Sequence, residues 1–181
     1  LEFDALRVLE LDGSVDDYIE QPLLLRYEMD GKLRFAKPDI LLLRGGKLFC
    51  CEVKFEDDAR QAESKWLAIG RALSSLGLGY SVLTERHIRR GPLFQNVKTV
   101  FARRHCRPSR TAALNALTAV RAAGALTITD LGSRFGITFD EACFLLRYGL
   151  LSADLVAARL GPNTEVRWSR RCRVDPWQAR K

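Results

Sequence analysis

Three residues of this chain have types and spacing that could do chemistry: Asp39, Glu52 and Lys54. They lie within Arg34–Glu56, RFAKPDILLLRGGKLFCCEVKFE. Two apolar runs, 40–43 and 48–51, flank Arg44-Gly45-Gly46-Lys47. Gly-Gly between such runs signals a hairpin, because a primed turn needs positive φ at both central residues. With Gly45 and Gly46 as the turn, Arg44 faces Lys47, Leu43 faces Leu48, and Asp39 falls opposite Glu52. Facing carboxylates repel across a ladder, and a divalent cation between them reverses the sign. Period-2 alternation puts Lys54 on the face of Glu52. Both strands are otherwise apolar on both faces, which places the pair inside a sheet. Two acids and a lysine there fit a metal-ion site for phosphate chemistry. A turn one residue longer would undo the register, and the plain alternative is a solvated surface hairpin.

The elements around the hairpin would have to hold it. Residues 1–11 carry an apolar stripe through Leu1, Ala5, Val8 and Leu9 that predicts a helix against a sheet, ended near Gly13. Extended segments follow at 18–21 and 23–27, and Asp30-Gly31 turns the chain into 33–35. After Lys54, Asp57 and Asp58 suit a helix N-terminus. Ala62, Trp66, Ile69, Leu73 and Leu76 then predict one amphipathic helix, followed by a short strand at 80–84. Strand, helix, strand implies a parallel crossover. A short helix begins near Thr84 and is broken at Gly91-Pro92, and another runs to Arg104, with His87 read as a surface or capping residue.

The chain has 181 residues, 47% of them hydrophobic, enough for a full core in one domain or two small ones. No run is long enough for a transmembrane helix. Its start does not read as a signal peptide, and sequence upstream of Leu1 is expected. Five cysteines form no CxxC pair, and a reduced cytoplasmic protein is the simplest expectation. Charge is uneven. Residues 1–98 hold 15 Lys or Arg against 16 Asp or Glu, whereas 99–181 hold 14 against 6, so a polyanion partner is expected of the second half. That half predicts a helix over 110–123, a short helix capped by Thr129, a turn at Gly136 and a helix capped by Thr138 with Glu141. Residues 150–151 and 165–168 could be the strands of a wing beside this helix-turn-helix layout. The second helix of the pair offers only Arg147, a poor major-groove reader. The cations sit instead at Arg103, Arg104, Arg107 and Arg110 and in the tail, including Arg170 and Arg171, as for a DNA-backbone binder or partner-docking module.

Pro38-Asp39, twelve residues, then Glu52-Val53-Lys54 resembles the PD-(D/E)xK motif of restriction-endonuclease-like nucleases. The ordered set at 2–10, 20–22, 37–40, 51–55, 82–85 and 96–98 resembles the TnsA family, endonuclease subunits of heteromeric bacterial transposases. That resemblance, carried by residues of the first half, implies an α/β fold with a restriction-endonuclease-like mixed sheet flanked by helices over 1–104, and the helix-turn-helix layout adds a small, mostly helical winged-helix-like domain over 105–181. The resemblance implies catalytic positions at Glu2, Asp39 and Lys54, with Glu52 the acid of the ExK pair. Asp39, Glu52 and the Val53 carbonyl would hold Mg²⁺, for which Mn²⁺ substitutes, with Glu2 completing the shell or helping to hold a second ion. The implied partners are double-stranded DNA, a DDE-type transposase and an AAA+ ATPase, with cutting on the 5′ side of transposon ends. The rival readings are a Holliday-junction resolvase or other small nuclease, and a non-catalytic DNA-binding assembly protein.

Overall fold

The computed structural model describes residues 1–169, 176 and 177. The chain is a mixed α/β protein whose contacts divide it into two units, Leu1–Arg90 and Gly91–Lys181.

The first unit opens with α1 (Glu2–Leu11), whose stripe buries Ala5 and Leu9. Strands β1 (Asp17–Glu20), β2 (Leu25–Met29) and β3 (Lys32–Ala36) follow, then β4 (Ile40–Arg44) and β5 (Lys47–Val53). Gly45 and Gly46 have φ of 55° and 75°, the positive values that a primed turn requires. Arg44 therefore pairs with Lys47 and Ile40 with Cys51, and Asp39 and Glu52 come next outward. The expected register is the one formed. The single helix expected from Asp57 and Asp58 through Leu76 is two helices, α2 (Glu56–Gln61) and α3 (Glu63–Ser74), broken where Ala62 leaves helical geometry. Trp66, Ile69 and Leu73 face the core as the spacing predicts, but Leu76 lies beyond the helix end and is exposed. Strand β6 (Gly79–Leu83) then pairs parallel to β5, completing the crossover.

The resulting sheet has order β1-β4-β5-β6, with β4 and β5 inside it. Successive residues of β5 serve opposite cores. Cys51 and Val53 join Ala5 and Leu9 on one face, while Cys50 meets Trp66, Ile69 and Leu73 on the other. The hairpin β2–β3 forms a separate two-stranded ribbon that buries Leu25 and Tyr27 in that second core. Helix α4 (Glu85–Ile88) closes the unit, and His87 Nδ1 accepts from the Thr84 amide to complete its capping box.

The second unit begins with α5 (Gly91–Ala102), so the boundary falls before this helix and not after residue 104. The reason is packing. Val97, Val100 and Phe101 are buried, and Asn96 is tied to 155, 158 and 160. Gly91-Pro92 opens the helix, since proline lacks only a donor that the first turn leaves unused. Next come α6 (Arg110–Ala123), β7 (Leu126–Thr127), α7 (Ile128–Phe135), α8 (Phe139–Arg147), β8 (Leu151–Ser152) and β9 (Glu165–Trp168). Thr127, not Thr129, caps α7: its hydroxyl accepts from the Asp130 amide and the Asp130 carboxylate returns to the Thr127 amide. Thr129 lies in the first turn and donates to the Pro162 carbonyl. The Thr138–Glu141 box caps α8 as expected. Strand β7 was not foreseen; it pairs with β9, which also pairs with β8, giving the order β7-β9-β8.

Candidate active site

The hairpin β4–β5 brings Asp39, Glu52 and Lys54 together. The backbone amide of Val53 donates to Asp39 Oδ2 at 2.8 Å, fixing the carboxylate over the end of β5. Gln21 fixes its backbone, donating its amide to the Asp39 carbonyl at 2.8 Å. Lys54 Nζ then stands 2.9 Å from Asp39 Oδ2, 3.1 Å from Glu52 Oε2 and 3.1 Å from the Val53 carbonyl oxygen. The three oxygens expected to hold a metal ion thus converge on one cationic nitrogen.

Burial sharpens the electrostatics. The Glu52 side chain is 6% exposed, Asp39 14% and Lys54 29%. Burial raises the pKa of Glu52, and the neighbouring Asp39 charge adds to it, against the opposing pull of Lys54. Burial works against the Lys54 ammonium, but its hydrogen bonds to Asp39 and Glu52 outweigh that and raise its pKa. The arrangement is therefore two acids that repel, held together by a cation. Removing the cation would leave the two acids facing each other with no charge to compensate them.

Tyr80 belongs to this neighbourhood, and the sequence reading passed over it. In the parallel register Tyr80 pairs with Cys50 and Val82 with Glu52, so alternation sets Tyr80 on the face of Glu52. Its ring lies against α3 at Gly70, where an added Cβ would stand 3.2 Å from Tyr80 Cδ1. Its hydroxyl is buried without a partner among the described residues. Burial first, then Glu52 and Asp39, push its ionisation far up, so it stays a neutral phenol. The register alone could have located it. Beside it a cavity of about 480 Å³ runs between α2, α3, β6 and α4, lined by Arg60, Trp66, Thr84 and His87 among others.

The remaining expected positions divide. Glu2 is exposed at the start of α1 and forms no hydrogen bond or ion pair with the trio. Among the described residues no three His, Cys, Asp or Glu side chains are grouped to hold an ion, so Glu2 does not join the two acids in this structure. Arg103 is engaged within its own unit, donating to Asp140 and to the Thr99 carbonyl. Arg104 and Arg107 are exposed and donate to the carbonyls of Phe101 and Trp177, and Arg110 is exposed at the start of α6. Arg170 and Arg171 lie outside the described residues. Cys50 and Cys51 alternate faces as buried apolar groups. Among the described residues no helix is long and apolar enough to cross a membrane. No family model matches the chain, and no curated protein is significantly similar to it.

Proposed function

We propose that this chain is a metal-dependent DNA endonuclease of the TnsA kind, with a restriction-endonuclease-like first unit and a winged-helix-like second. The observation that carries the reading is the convergence of Asp39, Glu52 and the Val53 carbonyl on one cation. That donor set fits Mg²⁺ or Mn²⁺, since all three are hard oxygens. Bound there, the ion would polarise a phosphoryl oxygen and lower the pKa of a water molecule.

The chain's own residues supply the rest. The Val53 amide fixes the Asp39 carboxylate, so one acid is aimed before any ligand arrives. The buried Glu52 carboxylate contributes charge where little water screens it. Lys54 is long enough to leave the acid pair and present its ammonium to the scissile phosphate and the attacking water, stabilising charge that develops in the transition state. Glu2 is the further acid that the resemblance suggests. The proposed substrate is double-stranded DNA at transposon ends, cut on the 5′ side together with a DDE-type transposase and an AAA+ ATPase. By this reading the protein works in the bacterial cytoplasm, and the exposed arginines of the second unit contact DNA backbone or a partner.

A second reading has an observation of its own. Lys54 already neutralises both acids, as it would in a purely structural ion-pair network of a non-catalytic assembly protein. Lys54→Ala separates the two. With Mg²⁺, duplex DNA and the transposition partners, the nuclease reading expects DNA binding to persist while cleavage falls at least about 10²-fold. Normal cleavage by that variant would contradict the role given to Lys54.

A further inference from the structure

The hairpin β2–β3 has two unlike faces. Its inner face is anchored through Leu25 and Tyr27, 5% exposed each, against the core that includes Trp66, Ile69 and Leu73. On its outer face Arg26 pairs with Phe35 and Glu28 with Leu33. Phe35 and Leu33 are each 60% exposed, and Leu24 at the foot of the ribbon is 69% exposed. A ribbon anchored by its inner face thus holds large apolar groups in water, where core packing gives them no role.

Charge indicates what covers them. The first unit as a whole is acidic, yet residues 24–37 carry four Lys or Arg against two Asp or Glu. The rest of Leu1–Arg90 carries ten against fourteen. Arg26 and Lys32 form no ion pair among the described residues, and Arg34 has only a 3.8 Å contact with the exposed Asp30. Lys37 is also exposed and donates to Gln21. Position completes the argument: β3 ends at Ala36, and Asp39 follows three residues later, a span of at most about 11 Å. A site that cuts phosphodiesters on an acidic unit needs local cations to bring the polyanion to it, and this ribbon has them at its threshold.

We infer that the β2–β3 ribbon is a DNA-contacting arm that seats the duplex beside Asp39, with Phe35 and Leu33 of its outer face on sugars or base edges. Arg26 of that face and Lys37 at its foot meet the nearer phosphates, and the exposed Lys32 and Arg34, which alternate to the other face, meet phosphates across the ribbon's edge. This rests on the nuclease reading above. A two-stranded ribbon is of a size that the major groove admits. The phosphate contacts supply affinity that falls with salt, and the apolar contacts supply affinity that does not.

The test is fluorescence anisotropy of a labelled 30-base-pair duplex with the full chain across a salt series, with Mn²⁺ calorimetry on each variant. Arg26→Gln/Lys32→Gln should lower affinity at least about tenfold and flatten the log–log salt dependence by about 2, since each phosphate contact contributes roughly 0.9. Phe35→Ser should weaken binding with the slope unchanged. Lys47→Gln/Arg71→Gln removes as much charge elsewhere on the unit and should change both far less. Unchanged Mn²⁺ binding in the ribbon variants shows that they fold. If they bind DNA with wild-type affinity and slope, or if the control loses as much, the arm is overturned while the metal site stands, and the apolar face falls to a protein partner. If the ribbon variants lose DNA affinity but the wild type takes up no Mn²⁺, the arm stands and the nuclease reading fails. No DNA binding by the wild type would overturn the arm outright.

Discussion

Glu52 and Asn96 are both polar and both buried, one in each unit, and the fold treats them differently. Asn96 is 1% exposed, yet both N–H groups and the oxygen of its side-chain amide have partners. It donates to the carbonyls of Leu155 and Ala158 and accepts from the Leu160 amide, pinning an irregular segment to α5. Glu52 is 5% exposed, carries charge, faces another acid and relies on a single lysine. A neutral amide whose donors and acceptor all have partners needs no explanation beyond stability. A buried carboxylate set against a second one does not serve stability, because apolar residues in its place would hold the sheet at lower cost. The contrast sets a polar residue that serves stability apart from one whose placement stability does not account for and the proposed cation site does.

Asn96→Ala should show the largest effect on stability. It strands two carbonyls and an amide, and urea unfolding should reveal a loss of about 2–4 kcal/mol, with Mn²⁺ binding by the folded protein unchanged. A loss below about 0.5 kcal/mol would remove Asn96 from its role as a staple.

Lys54→Met should move in the opposite sense for ligand binding. The Lys54 ammonium stands where a divalent ion would meet Asp39, Glu52 and the Val53 carbonyl. Taking away the competing charge should tighten Mn²⁺ binding by about tenfold or more, given the strength of charge interactions at this range. Weaker binding would mean that Lys54 assists the ion and does not exclude it.

Glu52→Gln sharpens the same contrast through pH. Glu52 holds its proton to higher pH folded than unfolded, so its ionisation opposes folding. Wild-type stability should therefore decline as pH rises from the ordinary carboxylate range through the raised pKa of Glu52. The raised pKa of Lys54 has the other sign: its contribution is fully present below the ordinary lysine range and constant through this window. In Glu52→Gln that decline should disappear, leaving the variant as stable as wild type or more so near pH 7. A decline of equal size in both proteins would assign it to other groups.

The smallest effect concerns the turn that sets the pair's register. Gly46→Ala forces a φ of 75° on a residue with a Cβ and should cost about 1 kcal/mol in a melt. No cost would mean that the turn rearranges freely.

The hairpin was legible because Gly45-Gly46 admits few turn geometries and period-2 alternation then fixes every partner, Asp39 and Glu52 included. The central place of β4 and β5 was legible from their apolar faces. What the sequence hid depends on choices made in three dimensions. Ala62 breaks a periodic stripe without glycine or proline, so nothing local marks the gap between α2 and α3. Thr127 and Thr129 both have capping chemistry, and the selection rests on Asp130 standing three residues after the first. Strand β7 has only two residues and takes its identity from β9. The grip of Lys54 on both acids is a side-chain conformation, which spacing alone does not fix.

The central claim is that Asp39 and Glu52 face each other to hold a cation. Calorimetric titration of Mn²⁺ into the full chain, wild type against Asp39→Ala, tests it without any need for a partner protein. The account predicts saturable binding by the wild type that is lost in the variant. Equal binding by both proteins, or no binding by the wild type either alone or with a DNA duplex present, would contradict it.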